Sequence, residues 1–114
     1  MEEHNGTLRV GVIGMGPVGQ ILAVHLKEAG CHVTVCDRNK ERVELIRKEG
    51  LHLEGKMAKQ VMPDEAFDTV TELALQRPDV IILAIKVYHT RAVIDELIAA
   101  GGDKPHIILA LLHI

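Results

Sequence analysis

Aromatic residues are nearly absent: the 114-residue chain has no tryptophan, one tyrosine (Tyr88) and one phenylalanine (Phe67). Basic charge is not in excess either, with 13 Lys and Arg against 16 Asp and Glu and a formal net charge of -3. Without a basic patch interleaved with aromatics, no nucleic-acid partner is expected. Cysteine is scarce. Cys31 and Cys36 do not form a Cys-x-x-Cys pair, and a turn followed by a strand suits a disulfide badly, so two reduced thiols are expected. The longest apolar runs, 80–85 and 107–112, are far too short to span a membrane. The acidic, polar start Met1-Glu2-Glu3-His4-Asn5-Gly6 lacks the basic and apolar regions of a signal peptide, and a cytoplasmic location is expected. Seven histidines include no i, i+4 pair and no His-Glu-x-x-His, so no metal site is expected.

What is there has the composition of one ordinary globular domain, with 47% hydrophobic and 25% charged residues. Its most informative run is Gly14-Met15-Gly16-Pro17-Val18-Gly19. It lies between an apolar strand-like stretch, 8–13, and a segment of helical periodicity, 18–29. Glycines of this spacing between a strand and a helix, with an acid about 20 residues on, form a dinucleotide-binding fingerprint. Asp37, at the end of the next apolar run, is that acid.

The rest of the chain alternates in the same manner. The first helix is expected to bury Val18, Ile21, Leu22, Leu26 and Ala29, with His25 packed or partly exposed on that stripe and Gly30 as its stop. A second strand covers 32–37, and Asn39 caps a helix to about Lys48 with Val43, Leu45 and Ile46 inward. Leu51 to Glu54 and Lys59 to Met62 read as a hairpin about Gly55-Lys56, and Pro63-Asp64-Glu65 as a break. Thr69 and Glu72 match a capping box before a short helix, 72–76. Residues 80–85 are a central parallel strand. Thr90 caps a helix over 91–100 with Ala92, Val93, Leu97 and either Ile94 or Ile98 inward, Gly101-Gly102 stops it, and 106–112 form the last strand. Right-handed crossovers then give an α/β fold: a Rossmann-like, doubly wound parallel sheet in a three-layer αβα sandwich, strand order 3-2-1-4-5, ending after strand 5. Residues 1–114 form one dinucleotide-binding domain.

The expected cofactor contacts are Gly14, Met15, Gly16, Pro17, Val18 and Gly19 of the loop, then Asp37, Arg38, Ile85 and Lys86. Gly14 turns the chain tightly, Gly16 leaves room for the pyrophosphate, and Gly19 lets the helix press on the sheet. The helix N-terminus offers N–H groups and partial positive charge to phosphates. A carboxylate at Asp37 suits the ribose hydroxyls of NAD and repels a 2′-phosphate, whereas Arg38 suits NADP or stacks on adenine, so NAD and NADP both stay open. Lys86, at the carboxyl end of a strand, can meet a substrate carboxylate or the cofactor; the plainer alternative is a lysine leaving a buried strand for solvent. Tyr88 covers the nicotinamide or packs on the helix.

Four segments together resemble the N-terminal domain of ketopantoate reductases (2-dehydropantoate 2-reductases). They are Val12 to Gly19, Glu28-Ala29-Gly30-Cys31-His32-Val33-Thr34-Val35, Gly50-Leu51-His52-Leu53-Glu54-Gly55, and the stretch from Asp79 to Thr90 that contains Ala84-Ile85-Lys86-Val87-Tyr88-His89. The resemblance implies transfer of hydride from NAD(P)H to a 2-keto acid. It implies Arg38 at the 2′-phosphate and Lys86 near nicotinamide and substrate. His89 stands where glutamine is usual, and Asp37 is atypical. The family's Asn-Gly after strand 5 has no counterpart in Leu111-Leu112-His113-Ile114. Nor does its helical C-terminal domain, with the catalytic lysine and an acidic substrate-binding residue. No catalytic residue is therefore expected in this chain, which should bind cofactor without turnover and self-associate through uncovered apolar surface. A nucleotide-sensing or assembly module and the cofactor domain of another dehydrogenase class are the alternatives.

Overall fold

A computed structural model describes residues 6–53, 59–101 and 105–109. The elements are β1 (Arg9–Ile13), α1 (Pro17–Glu28), β2 (His32–Cys36), α2 (Lys40–Glu49), β3 (Leu51–Leu53), β4 (Lys59–Val61), β5 (Glu65–Phe67), α3 (Val70–Ala74), β6 (Val80–Leu83), α4 (Thr90–Ala100) and β7 (His106–Leu109). Five strands form one sheet in the order β5-β2-β1-β6-β7, every pairing parallel. This is the Rossmann-like arrangement, and its switch point lies between β1 and β6.

Alternation along the strands builds two cores. Val12 and Val35 point to the face of α1 and α2, where they join Ala23, Val24, Val43 and Ile46. Their neighbours Ile13 and Cys36 point the other way, with Val70, Leu73, Leu83 and Val93 of α3, β6 and α4. The register sets Ile13 opposite both Cys36 and Leu83, so three carboxyl strand ends finish side by side. Whatever follows those strands is thereby brought to one edge. No helix among the described residues is long and apolar enough to cross a membrane.

Several expectations change. The third strand of the main sheet is Glu65–Phe67, where sequence reading puts Glu65 in a break and assigns no element to Ala66 and Phe67. The hairpin of Leu51–Leu53 and Lys59–Val61 forms as expected but is a separate two-stranded sheet. Its turn at Gly55-Lys56 lies outside the described residues, as do Gly102 and positions 110–112 of the last strand. In α1 the buried residues are Gly19, Ala23 and Val24. Leu22 and Leu26 pack only at the margin, while Val18, Ile21, His25 and Ala29 are exposed. The close approach at Gly19 turns small side chains to the sheet and pushes larger ones outward. Leu45 of α2 and Ala92 of α4 are exposed, and Ile94, not Ile98, flanks the core with Leu97. Asn39 and Thr69 cap as expected, accepting from the N–H groups of Arg42 and Glu72. Thr90 does not: a 3₁₀ turn, Val87–His89, puts His89 at the cap and Thr90 inside the helix.

Candidate functional site

The loop from Gly14 to Gly19 leaves β1 at the switch point, and each glycine there has its own reason. Gly14 has φ +105°, and an added Cβ would stand 2.3 Å from the Ala84 carbonyl oxygen. It sits against Ile85, so the loop and the chain leaving β6 touch. At Gly19 a Cβ would fall 1.7 Å from the Gly14 carbonyl oxygen, because α1 passes directly over the loop. Gly16 differs from both: its φ is -73°, open to any residue, and a Cβ would meet nothing within 4 Å. Neither backbone strain nor packing demands a glycine at that position.

Met15 is held on every side. Its side chain is fully buried in the core. Its N–H donates to Asp37 Oδ2 at 2.8 Å, and its carbonyl accepts from Gln20 Nε2 at 2.9 Å. The Gln20 amide oxygen in turn accepts from the His52 N–H at 3.2 Å, tying the loop to the hairpin. The first main-chain bond into α1 runs from Gln20 N–H to the Gly16 carbonyl at 3.0 Å. The N–H groups of Val18 and Gly19 in the first turn therefore point out of the helix end, and Pro17 at N1 has none to lose. An anion placed over Gly16 would meet free donors and the positive end of α1.

The acid and the cations at this edge form linked pairs. Besides Met15, Asp37 accepts from the Asn39 N–H at 2.8 Å and from Arg42 Nη1 at 3.2 Å. Arg38 Nη2 reaches across to Glu96 Oε1 of α4 at 3.1 Å. Behind them, burial first and the carboxylate of Asp37 second push the Cys36 thiol up to about 12, so it stays protonated and unreactive. Lys86 follows β6, half-buried, and its ammonium has no partner among the described residues. Tyr88 is exposed. Thr90 Oγ1, at the start of α4, is buried with no hydrogen-bond partner among the described residues. The structure thus gathers Gly14 to Gly19, Asp37 and Ile85 around one cleft edge and leaves Arg38 bound to α4. Gln20, Arg42, Glu96 and Thr90 are additions; their contacts depend on folding and leave no motif in the sequence. A separate apolar concavity of about 610 Å³, bounded by Leu75, Pro78, Ile98 and Ile107, lies at the other end of the strands and is no part of this site.

The family model described as ketopantoate reductase PanE/ApbA matches residues 10–112. A provisionally named ketopantoate reductase from Ralstonia solanacearum MolK2 superposes with TM-score 0.76 at 23% identity, over 93% of this chain and 32% of its own. For 2-dehydropantoate 2-reductase from Methylococcus capsulatus the values are 0.74, 25%, 90% and 33%. D-mandelate dehydrogenase, in a ternary structure with NADH and anilino(oxo)acetate, gives 0.77, 18%, 94% and 34%, a likeness of fold alone. The chain spans about a third of the length of each. No curated protein sequence matches it.

Proposed function

The chain belongs to the ketopantoate reductase PanE/ApbA family, and from that membership we propose that it is the cofactor-holding part of an enzyme that reduces a 2-keto acid. The family and the fold make it an NAD(P)-binding Rossmann domain. The observation that carries the assignment of the site is Gly16, a glycine required by neither strain nor packing, at the point where a pyrophosphate would lie against the main chain.

In this reading Gly14 and Gly19 shape the loop, while the N–H groups at the start of α1 hold the pyrophosphate over Gly16, Pro17 and Val18. Met15 acts through its fixed peptide, and Asp37 accepts from the adenosine ribose. Arg38 borders the same ribose, and Ile85 supplies apolar wall beside Gly14. Lys86, whose ammonium has no partner among the described residues, stands at the carboxyl end of β6 and holds the substrate carboxylate. The bound reduced nicotinamide supplies the hydride that the ketone carbon receives. No proton donor is assigned within this chain. Two free thiols fit a reducing, cytoplasmic setting. The exposed apolar side chains of Leu75, after α3, Ile98 of α4 and Ile107 of β7 favour association with a second copy.

The test is titration of the protein with NADH and NADPH, followed by nucleotide fluorescence. At least one should bind saturably. Gly16→Ala, whose Cβ has open space, should fold with an unchanged Tm yet weaken binding by about tenfold or more, the loss expected when a methyl group displaces a closely held phosphate. Equal affinity in Gly16→Ala and wild type would remove the assignment.

A further inference from the structure

The guanidiniums beside Asp37 are both taken. Arg42 pairs with Asp37 at 3.2 Å and Arg38 with Glu96 at 3.1 Å, so each of these two guanidiniums is matched by a carboxylate. Glu96 arrives from α4, on the opposite face of the sheet from α2, and shares no local segment with Arg38. A phosphate monoester brings close to two negative charges at neutral pH, whereas a ribose diol brings none. Binding the former calls for unmatched cations; Arg38, the guanidinium next to Asp37, is already matched, and among the described residues only Lys40 at the start of α2 stands near it without a carboxylate partner.

Asp37 has the opposite character. It accepts three hydrogen bonds, from Met15, Asn39 and Arg42, of about four a carboxylate can take. The capacity left is on Oδ1, which accepts only from Asn39. That oxygen suits a hydroxyl donor and repels a phosphate. Glu96 adds a second negative charge next to the guanidinium that could offset it.

We infer that Glu96 is a specificity-determining residue: by holding Arg38 on α4 it withholds that guanidinium from a 2′-phosphate and, with Asp37, sets the site for NADH rather than NADPH. The inference rests on the glycine loop being the dinucleotide site. The side chains of Arg38 and Glu96 are 63% and 46% exposed, so their pair contributes little to folding and can be removed without unfolding the protein.

The experiment compares dissociation constants for NADH and NADPH in the wild type, Glu96→Gln, and Glu96→Gln combined with Arg38→Ala, at one fixed salt concentration. The wild type should hold NADH more tightly. Glu96→Gln should tighten NADPH by about threefold to fivefold and move NADH by less than about twofold, because only the 2′-phosphate feels the released charge. Adding Arg38→Ala should cancel the gain. An unchanged NADPH-to-NADH ratio in Glu96→Gln, or a gain that survives Arg38→Ala, overturns the inference. A wild type that binds neither dinucleotide is a different failure: the cofactor reading itself falls, and the inference with it.

Discussion

At the scale of single residues, the three loop glycines separate fold from function. Gly16 faces open space, so its substitution is read in binding. Gly19 faces the Gly14 carbonyl, so its substitution is read in stability. A methyl group at 1.7 Å from an oxygen cannot be absorbed by a flexible side chain; α1 must lift from β1. Gly19→Ala should therefore cost about 3 kcal/mol or more, at or above the top of the usual overpacking range. That lowers Tm by roughly 10 °C or more in a domain of this size. A thermal scan within about 2 °C of wild type would contradict the close approach, given that about 1 kcal/mol already moves Tm further than that. The turn at Gly14 and the close packing at Gly19 were legible in the sequence because they are properties of the backbone between a strand and a helix. Gln20, Arg42 and Glu96 were not. Their reach to His52, Asp37 and Arg38 exists only once the strand ends are aligned.

Among the elements, β5 shows where periodicity runs out. Three residues are too few to display alternation, and what fixes them is a clamp made at long range. Asp64 donates its N–H to the Val33 carbonyl at 2.9 Å, and its carboxylate accepts from Val33 N–H at 2.7 Å and from Lys27 at 2.9 Å. The clamp anchors β5 beside β2 and ties both to α1. Burial by itself would raise the Asp64 pKa. The hydrogen bonds from Lys27 and Val33 and the nearby His32 outweigh it and hold the carboxyl below its ordinary value of 3.8. A depressed folded pKa contributes stability that is fully present above the unfolded value and lost as pH falls through the folded one. Asp64→Asn keeps an acceptor for Val33 and loses the charge. With Lys27 and Asp64 partly exposed and screened, it should destabilise by only about 1 kcal/mol at pH 7. The gap in urea midpoint between variant and wild type should narrow below pH 3.8 as the wild-type carboxyl protonates. A gap that is the same at pH 7 and pH 3 would assign the clamp to shape, not charge. The same kind of long-range constraint misled the reading of α1. Five of its apolar side chains looked inward by spacing, but Gly19, Ala23 and Val24 fill the buried contact, Leu22 and Leu26 pack at its margin, and Val18, Ile21 and Ala29 are exposed.

On the scale of the whole molecule, the layer order was readable from the alternation of apolar runs and helical segments, because each crossover has one favoured hand. What alternation could not show is which faces stay uncovered. Leu75 of the turn after α3, Ile98 of α4 and Ile107 of β7 are 64%, 72% and 41% exposed and border one concavity. Beside them β7 pairs with β6, and no strand pairs with its other side among the described residues. A contiguous apolar patch favours burial against a like surface. The patch lies at the amino ends of β6 and β7, while the glycine loop lies at the carboxyl end of β1. Association there would therefore leave the cofactor cleft accessible. Two measurements follow from that separation. Sedimentation equilibrium of the wild type should show mass rising with concentration, and Ile98→Lys should weaken that association by about tenfold, since it sets a charge where roughly 1.5–3 kcal/mol of burial was available. The same substitution should leave the NADH dissociation constant within about twofold of wild type, because additivity holds for distant sites. Loss of cofactor affinity together with loss of association would mean that the two ends of the sheet are coupled and that the second copy helps to shape the cleft.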